Sequence, residues 1–189
     1  MARTAQNSSH KPIEQYLNAV ELQGGIYSNY PEVINNSITA NSFVVKGTIS
    51  GGQVSVNDVT ANTTLTVADS GQVFLLDAAA GVTVTLPTAA AGLTYTFVVK
   101  TSVTSNSYKI TAGSSNGYFM GSLATTTGTG SADIFTGNGS SDISVTMNGT
   151  TTGGLLGTLI TITCVTTGLW EVSGTNIASG TIATAFATT

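Results

Sequence analysis

Side chains able to transfer protons are few and widely separated in this sequence. His10 is the single histidine among 189 residues, and it lies in the N-terminal quarter, where no strand pattern would hold it against a nucleophile. Paired carboxylates for glycosidic cleavage are the alternative, and they would come from six scattered residues: Asp58, Asp69, Asp77, Asp133, Asp142 and Glu171. Each of the six has an ordinary place at a turn, at a strand end or at an outward strand position. We therefore predict no catalytic residue and no cofactor, and we expect that the chain is not an enzyme.

One segment has the spacing of a metal-binding repeat. Residues 128–136, Gly-Thr-Gly-Ser-Ala-Asp-Ile-Phe-Thr, are followed at once by Gly-Asn-Gly-Ser-Ser-Asp-Ile-Ser-Val. This tandem nine-residue repeat resembles the calcium-binding nonapeptide of parallel β-rolls, in which Asp133 and Asp142 would supply oxygen ligands. Here glycine occupies positions 1 and 3 rather than 1, 2 and 4, and two copies are too few to build a roll. We interpret the segment as two Gly-rich loops and predict no metal site, with calcium binding as the alternative.

Three other features have both a functional and a structural interpretation. Trp170 would suit a sugar-stacking platform, but it shares a strand face with Val172, and this favours a place in the core. Cys164 falls on the apolar side of its strand pattern, so we expect a buried thiol rather than a reactive one. Tyr118 and Phe119, beside a Gly-rich loop, are the candidates in this part of the sequence for exposed contact with a protein neighbour.

The composition favours strands and excludes several classes of protein. Only 7% of the residues are charged, there are 22 glycines, and Ser and Thr make up more than a quarter of the chain, so we predict an all-β fold. Five scattered Lys and Arg residues and a net charge of −4 argue against nucleic acid as a partner. The most apolar run, 154–165, is too short to span a membrane. From the single cysteine and the lack of a cationic, apolar leader we expect synthesis and folding in cytoplasm.

The sequence divides near residue 42 into an N-terminal arm, 1–41, and a β-domain, 42–189. In the arm we predict one short helix over 12–22, because apolar residues recur there at helical spacing: Ile13, Tyr16, Leu17 and Val20. In the β-domain, alternating apolar and polar residues separated by glycine turns predict a jelly-roll-like β-sandwich. Its strands are expected near 43–49, 53–59, 63–68, 72–77, 82–86, 93–100, 107–112, 117–123, 142–147, 155–165, 168–173 and 181–187.

Four stretches of the β-domain carry a family resemblance. They are Thr-Thr-Leu-Thr-Val-Ala-Asp-Ser-Gly-Gln-Val-Phe-Leu-Leu-Asp at 63–77, Val-Thr-Val-Thr-Leu-Pro at 82–87, Gly-Leu-Thr-Tyr-Thr-Phe-Val-Val at 92–99 and Gly-Leu-Trp-Glu-Val-Ser-Gly at 168–174. Together they are similar to a β module of tailed-bacteriophage virion proteins, and the last stretch looks like the closing strand of that module. The resemblance covers about residues 60–175 and implies a virion surface protein of the capsid decoration, head-fibre or tail-fibre type. It assigns no functional residue.

The resemblance and the arm together lead to a functional expectation. We expect a non-enzymatic phage structural protein, made in the host cytoplasm, that binds the outside of the capsid and stabilises it as a decoration or cement protein. Its expected partners are the major capsid protein and other copies of itself, with a trimer as the state expected by analogy. The alternative is a tail-fibre or head-fibre module that binds a receptor or glycan, and a polysaccharide-cleaving enzyme comes third. The expected partner-binding residues are Ile13, Tyr16, Leu17, Val20, Tyr27, Tyr30, Tyr118 and Phe119.

Overall fold

The computed structural model of the chain describes residues 53–112 and 117–189. Strands make up nearly half of these residues, and the only helical element among them is one 3-10 turn, Val67–Asp69. The strands are β1 (Val56–Val59), β2 (Thr63–Thr64), β3 (Val73–Leu76), β4 (Thr83–Thr85), β5 (Thr94–Val99), β6 (Tyr108–Thr111), β7 (Tyr118–Thr127), β8 (Ala132–Asn138), β9 (Ser144–Met147), β10 (Leu159–Thr166), β11 (Leu169–Ala178) and β12 (Phe186–Ala187). The predicted arm, its helix over 12–22 and the strand near 43–49 lie outside the described residues. In the described part of the chain, no helix is long and apolar enough to cross a membrane.

The strands form two mixed sheets. One sheet has seven strands in the order β1-β3-β5-β10-β11-β7-β8, and the other has five in the order β12-β9-β6-β4-β2. The all-β prediction is confirmed, and a sandwich-like arrangement fits the two sheets. The jelly-roll topology is not confirmed, because a jelly roll is antiparallel throughout, whereas half of the strand pairs here are parallel.

The first six strands alternate between the two sheets. β1, β3 and β5 are parallel neighbours in the seven-stranded sheet, and β2, β4 and β6 are parallel neighbours in the five-stranded one. The chain therefore crosses to the other sheet after each strand and returns one strand position further along. Each parallel pair needs a crossover connection, and the intervening strand of the opposite sheet provides it.

The second half of the chain completes both sheets. β10 lies antiparallel to both β5 and β11, and a register shift interrupts the β10–β11 ladder between Cys164 and Thr166. β7 pairs in parallel with β11 over ten residues, and β8 folds back antiparallel to β7 at the end of the seven-stranded sheet. In the five-stranded sheet, β9 lies antiparallel to both β6 and β12.

One contiguous core contains side chains of both sheets. On β5 the burial pattern alternates strictly, with Tyr95, Phe97 and Val99 buried and the residues between them half-buried. The aromatic rings of the core pack in tilted pairs, for example Phe74 with Phe97 at 5.7 Å and Tyr95 with Trp170 at 6.1 Å between ring centroids. The alternation that predicts half-buried strands near 82–86 and 93–100 is therefore confirmed.

Several strand boundaries differ from prediction for local reasons. The strand expected over 63–68 is limited to Thr63–Thr64, because Asp69 accepts hydrogen bonds from the N–H and the Oγ1 of Thr66 and the chain enters the 3-10 turn. The strand expected from 155 begins at Leu159, since Gly157 has a φ of 91° and ends a turn there. The last strand is reduced to Phe186–Ala187. β7 and β11 extend beyond the predicted ends because they pair with each other over ten residues.

The repeat segment 128–145 contains a strand that the sequence pattern did not predict. Residues 128–131 form a turn and 139–143 form a loop, but β8 occupies Ala132–Asn138 between them. β8 is exposed on most of its length because it is the last strand of its sheet, so burial does not impose an alternating pattern on it.

Candidate functional site: the outer face of the seven-stranded sheet

The structure describes two of the eight predicted partner-binding residues, and both lie at the start of β7. Tyr118 is 41% exposed, whereas Phe119 is 0% exposed and belongs to the core. In this chain only the first of the two presents its side chain to solvent. The other six lie outside the described residues, so their role stays a prediction: Ile13, Tyr16, Leu17, Val20, Tyr27 and Tyr30.

Alternation along the strands of the seven-stranded sheet turns every second side chain away from the core. We call the surface made by these side chains the outer face. Cross-strand register aligns them in rows, and one of these rows is mostly apolar: Leu75 on β3, Val98 on β5, Leu159 on β10, Thr175 on β11, Ala124 on β7 and Ile134 on β8. With neighbouring strands about 4.8 Å apart, the row crosses about 24 Å of surface.

The adjacent row on the outer face carries hydroxyl groups. It runs Thr96, Thr161, Ser173, Ser122 and Thr136, from β5 to β8. One register step further, the hydroxyls of Thr94 and Thr163 are 3.0 Å apart and hydrogen-bond to each other. Threonine suits such positions because its β-branched carbon packs on the pleated surface and its hydroxyl stays available to water or a partner.

The outer face also holds most of the exposed large apolar side chains of the described residues. Eight such side chains are more than about a third exposed. Five of them lie on strands of the seven-stranded sheet at outward positions: Val56, Tyr118, Ile134, Leu159 and Val165. These five side chains are spread over four strands of the face, from β1 at one edge to β8 at the other.

The charged side chains of the outer face lie mainly at one edge, where three of them form an ion-pair cluster. The Nζ of Lys100, just after β5, lies 3.0 Å from Oδ1 of Asp58 on β1 and 2.8 Å from Oδ2 of Asp77 just after β3. The hydroxyl of Thr101 also donates to Asp77. The cluster therefore ties together the ends of three neighbouring parallel strands, which agrees with the structural interpretation of Asp58 and Asp77.

The ion pairs shift both partners toward their charged forms. The hydrogen bond from Lys100, with a smaller contribution from Thr101, holds the pKa of Asp77 below its ordinary value. In turn Asp77, followed by Asp58, raises the pKa of Lys100. Both pKa values move away from neutral pH, so neither side chain becomes a better general acid or base there.

The remaining candidate carboxylates have structural partners or outward positions. Asp69 caps the 3-10 turn, and Glu171 points outward between two buried neighbours on β11. Oδ2 of Asp142 accepts a hydrogen bond from the backbone N–H of Asn138 at 2.9 Å, and Asp133 accepts one from the N–H of Ile134 at 3.0 Å. Among the described residues, no three His, Cys, Asp or Glu side chains are grouped as a metal site would require.

Two asparagines organise the loops after β8 and β9. Oδ1 of Asn138 accepts hydrogen bonds from the N–H groups of Ser140 and Ser141, and Oδ1 of Asn148 does the same for Thr150 and Thr151. Both asparagines are followed by glycine and two hydroxyl residues, and both begin an Asn-x-Ser/Thr triplet. These are Asx turns, and the shared Asn-Gly-(Ser/Thr)-(Ser/Thr) pattern is the sequence signal that would have identified them.

Trp170 and Cys164 lie in the core, as the strand pattern predicts. The indole is 0% exposed, so it offers no platform to a sugar. Burial raises the pKa of the Cys164 thiol, and the thiol donates to the carbonyl of Thr166. Burial likewise raises the pKa of the Tyr95 phenol to about 12.

A polar cavity lies beside the β1–β2 connection, at the edge of the seven-stranded sheet. Its volume is about 330 Å³, and its lining includes Asn57, Asp58, Asn62, Thr63 and Asp69. The amide of Asn57 is already bonded to Oε1 of Gln72 at 2.6 Å, and Oδ1 of Asn62 accepts from the N–H of Thr83 at 2.8 Å. Much of the hydrogen-bonding capacity of the lining is therefore used within the chain.

The outer face is not among the predicted sites, although some of its signals are visible in the sequence. Val98 and Leu159 are apolar residues at positions whose strand neighbours are buried, so each is an apolar residue on the polar side of an alternating pattern. Their alignment in one row depends on strand order and register, which the sequence alone does not define.

The chain matches no protein-family model, and comparisons with curated proteins and with solved structures find no similar protein. The resemblance to the bacteriophage module therefore stays a prediction.

Proposed function

We propose that the chain is a non-enzymatic structural protein of a tailed-bacteriophage virion, one that binds the outside of the capsid and stabilises it. The observation that supports this function best is the outer face, which presents apolar and hydroxyl side chains in register on a β scaffold. Its partners are the major capsid protein and other copies of the chain. The proposal also draws on the family resemblance of residues 60–175.

The outer face has the chemistry of a surface that docks on another protein. Full burial of an exposed aliphatic side chain contributes on the order of 1.5–3 kcal/mol before ordering costs are subtracted. A few such groups give weak attachment for one copy, but copies that also contact each other on a lattice gain avidity. Since few charges lie on the face, attachment depends only weakly on salt concentration.

The predicted apolar stripe of the arm provides a second candidate contact. It comprises Ile13, Tyr16, Leu17 and Val20, at the spacing of one helix face. A helix of three turns is marginal in water on its own, so burial against a shell protein would stabilise it. Binding experiments with variants of each surface decide whether the outer face or the arm contacts the capsid.

The direct test is co-sedimentation of variants with capsids that lack the wild-type protein. Leu159→Asp combined with Val165→Asp places two charges on the outer face, and we expect occupancy to fall at least tenfold. The matched control is Val67→Asp with Leu156→Asp, two apolar residues that lie off the sheet and are more exposed than Leu159 and Val165, and it should bind normally. Deletion of residues 1–41, or Leu17→Asp with Val20→Asp, measures the contribution of the arm in the same assay.

The outcomes separate the two contacts and test the function itself. If only the arm variants lose binding, the outer face is not the capsid contact. If the wild-type protein fails to bind capsids, or if purified virions carry a few tens of copies rather than hundreds, the decoration function is wrong.

The second candidate function is a head-fibre or tail-fibre module that binds a receptor or glycan. The polar cavity beside the β1–β2 connection is the observation that favours it, since amides and carboxylates are the usual hydrogen-bonding partners of sugar hydroxyls. A low copy number, together with loss of cell adsorption in an Asn62→Asp variant, would support this function instead, because this change removes the amide N–H groups but keeps the acceptor for the N–H of Thr83.

A further inference from the structure

β8 is the last strand of the seven-stranded sheet, and one side of its backbone points away from β7. The N–H of Gly139 donates to the carbonyl of Phe119 and the N–H of Thr127 donates to that of Ser131, both at 2.8 Å. In this antiparallel register the odd-numbered residues of β8 bond to β7. The backbone groups at the four even-numbered positions therefore point outward from the sheet: Ala132, Ile134, Thr136 and Asn138.

The sequence of β8 lacks the features that usually block pairing at a sheet edge. It contains no proline and no lysine, and Asp133 is its single charge. Ile134 is 67% exposed, more than any other large apolar side chain of the described residues. In the part of the chain that the structure describes, β7 is the only strand that pairs with β8.

We propose that two copies of the chain associate by antiparallel pairing of their β8 strands around a two-fold axis at Phe135. In this arrangement the two Phe135 rings lie directly opposite each other, at a position where aromatic pairs stabilise a sheet. The remaining cross-subunit neighbours are Ile134 with Thr136, Asp133 with Gly137, and Ala132 with Asn138.

The central residues of β8 can form this register if one side-chain contact within the chain is given up. The N–H of Asn138 is already bonded to Asp142 and that of Ile134 to the Asp133 carboxylate. The exposed Asp133 side chain rotates away on pairing, whereas the cap on Asn138 stays in place. Ile134 and Thr136 then each donate to the other's carbonyl across the interface, and the two-fold axis repeats this pair, which gives four hydrogen bonds between the subunits.

Charge selects this register over its neighbours. Pairing around Phe135 offsets the two Asp133 carboxylates by four residues along the strands, or about 14 Å. That separation exceeds the screening length of about 8 Å at physiological ionic strength, so the repulsion between them is small. A register with its two-fold axis at Asp133 instead of Phe135 would place the two carboxylates face to face, which destabilises a strand pair.

The pairing also joins the outer faces of the two copies. Directly opposite residues of an antiparallel pair lie on the same side of the sheet, so Ile134 of each copy lies beside Thr136 of the other on one continuous surface. The contact is isologous and gives dimers or other even-numbered assemblies, not the trimer expected by analogy. It does not depend on attachment to a capsid.

The experiment is sedimentation velocity of the full-length chain over a range of concentrations. We expect the mass of a dimer at high concentration, and we expect this dimer to dissociate on dilution. Thr136→Pro removes two of the four hydrogen bonds between subunits, one from each copy, and keeps the β7–β8 hydrogen bonds because the N–H of Thr136 points away from β7. This variant and Ile134→Lys should each weaken the dimer by about tenfold or more, whereas Val67→Lys, a similar apolar-to-lysine change at an exposed position off the sheet, should not.

Amide hydrogen exchange gives a second measurement on the unmodified protein. The exchange of Thr136 should slow as concentration rises, while that of Gly137, already bonded to β7, should not change. A wild-type mass of one chain up to about 100 μM, or of three chains, would overturn the pairing. So would an effect of Val67→Lys equal to that of Ile134→Lys. If a monomeric Thr136→Pro variant still decorates capsids, the proposed function does not require the dimer. If the wild-type protein is a dimer but does not bind capsids, the pairing is right and the proposed function is wrong.

Discussion

Removal of the Tyr108 hydroxyl tests how the two sheets are held together. Tyr108 lies on β6 of the five-stranded sheet and is 0% exposed. Its hydroxyl accepts a hydrogen bond from the N–H of Ala78 at 2.8 Å and donates to the carbonyl of Thr101 at 2.7 Å. These two residues follow β3 and β5 of the other sheet, so one oxygen atom connects the ends of two strands across the core.

The expected cost of Tyr108→Phe follows from the groups left behind. Phenylalanine fills the same space but leaves the N–H of Ala78 and the carbonyl of Thr101 without this partner. An unsatisfied buried polar group costs about 1–3 kcal/mol, and both backbone groups lie on half-buried residues that water can partly reach. We therefore expect a loss of about 2 kcal/mol in the free energy of unfolding, and a fall in Tm of about 4–8 °C.

Urea unfolding of the full-length chain measures this loss, and Tyr118→Phe is the matched control. Tyr118 is exposed, so the same chemical change there should alter stability by less than about 0.5 kcal/mol. The m value should stay constant in both variants, because neither changes the surface exposed on unfolding. If Tyr108→Phe is no less stable than Tyr118→Phe, the hydroxyl does not connect the sheets and the argument is wrong.

Three further predictions concern ionisable groups. Lys100 lowers the pKa of Asp77, so this carboxylate stabilises the fold above its ordinary pKa and the stabilisation is lost as pH falls below about 4. Asp77→Asn should accordingly flatten the acid limb of a stability–pH curve, and parallel curves would contradict the ion pair. The buried Cys164 thiol, with its raised pKa, should react with a thiol reagent at neutral pH only after denaturant is added; rapid labelling of native protein would place it at the surface. EDTA should leave Tm unchanged, and a fall of several degrees reversed by Ca²⁺ would restore Asp133 and Asp142 as ligands.

The strands that sequence analysis predicted best are those with one buried and one exposed face. β5 illustrates this, since Tyr95, Phe97 and Val99 alternate with half-buried residues and the pattern has period two over the whole strand. β8 has no such pattern, because an edge strand that is exposed on most of its length does not need alternating apolar and polar residues. Its glycine-rich flanks have the pattern of loops, so the prediction of two loops is wrong for residues 132–138.

The path of the chain between the sheets has no local signal at all. A strand that pairs in parallel with the strand two positions earlier has the same alternation and the same glycine turns as one that pairs antiparallel with its neighbour. The succession of strands from β1 to β6 therefore indicates a sandwich but does not distinguish a chain that folds back from one that winds forward, and the predicted jelly roll assumes that it folds back. The structure shows winding, with parallel neighbours in both sheets.

This winding is also what creates the outer face. Because the chain advances one strand position with each crossing, Leu75 and Val98 become neighbours although a full turn of the chain separates them. Later antiparallel strands then place Leu159 next to Val98, and the row continues to Ile134 through strands that are remote in sequence. In its own strand each of these residues is one apolar side chain on a solvent face, which is ordinary for a β protein. Only their alignment makes a surface whose burial would stabilise an assembly, so substitutions within the row should have effects on binding that are not additive.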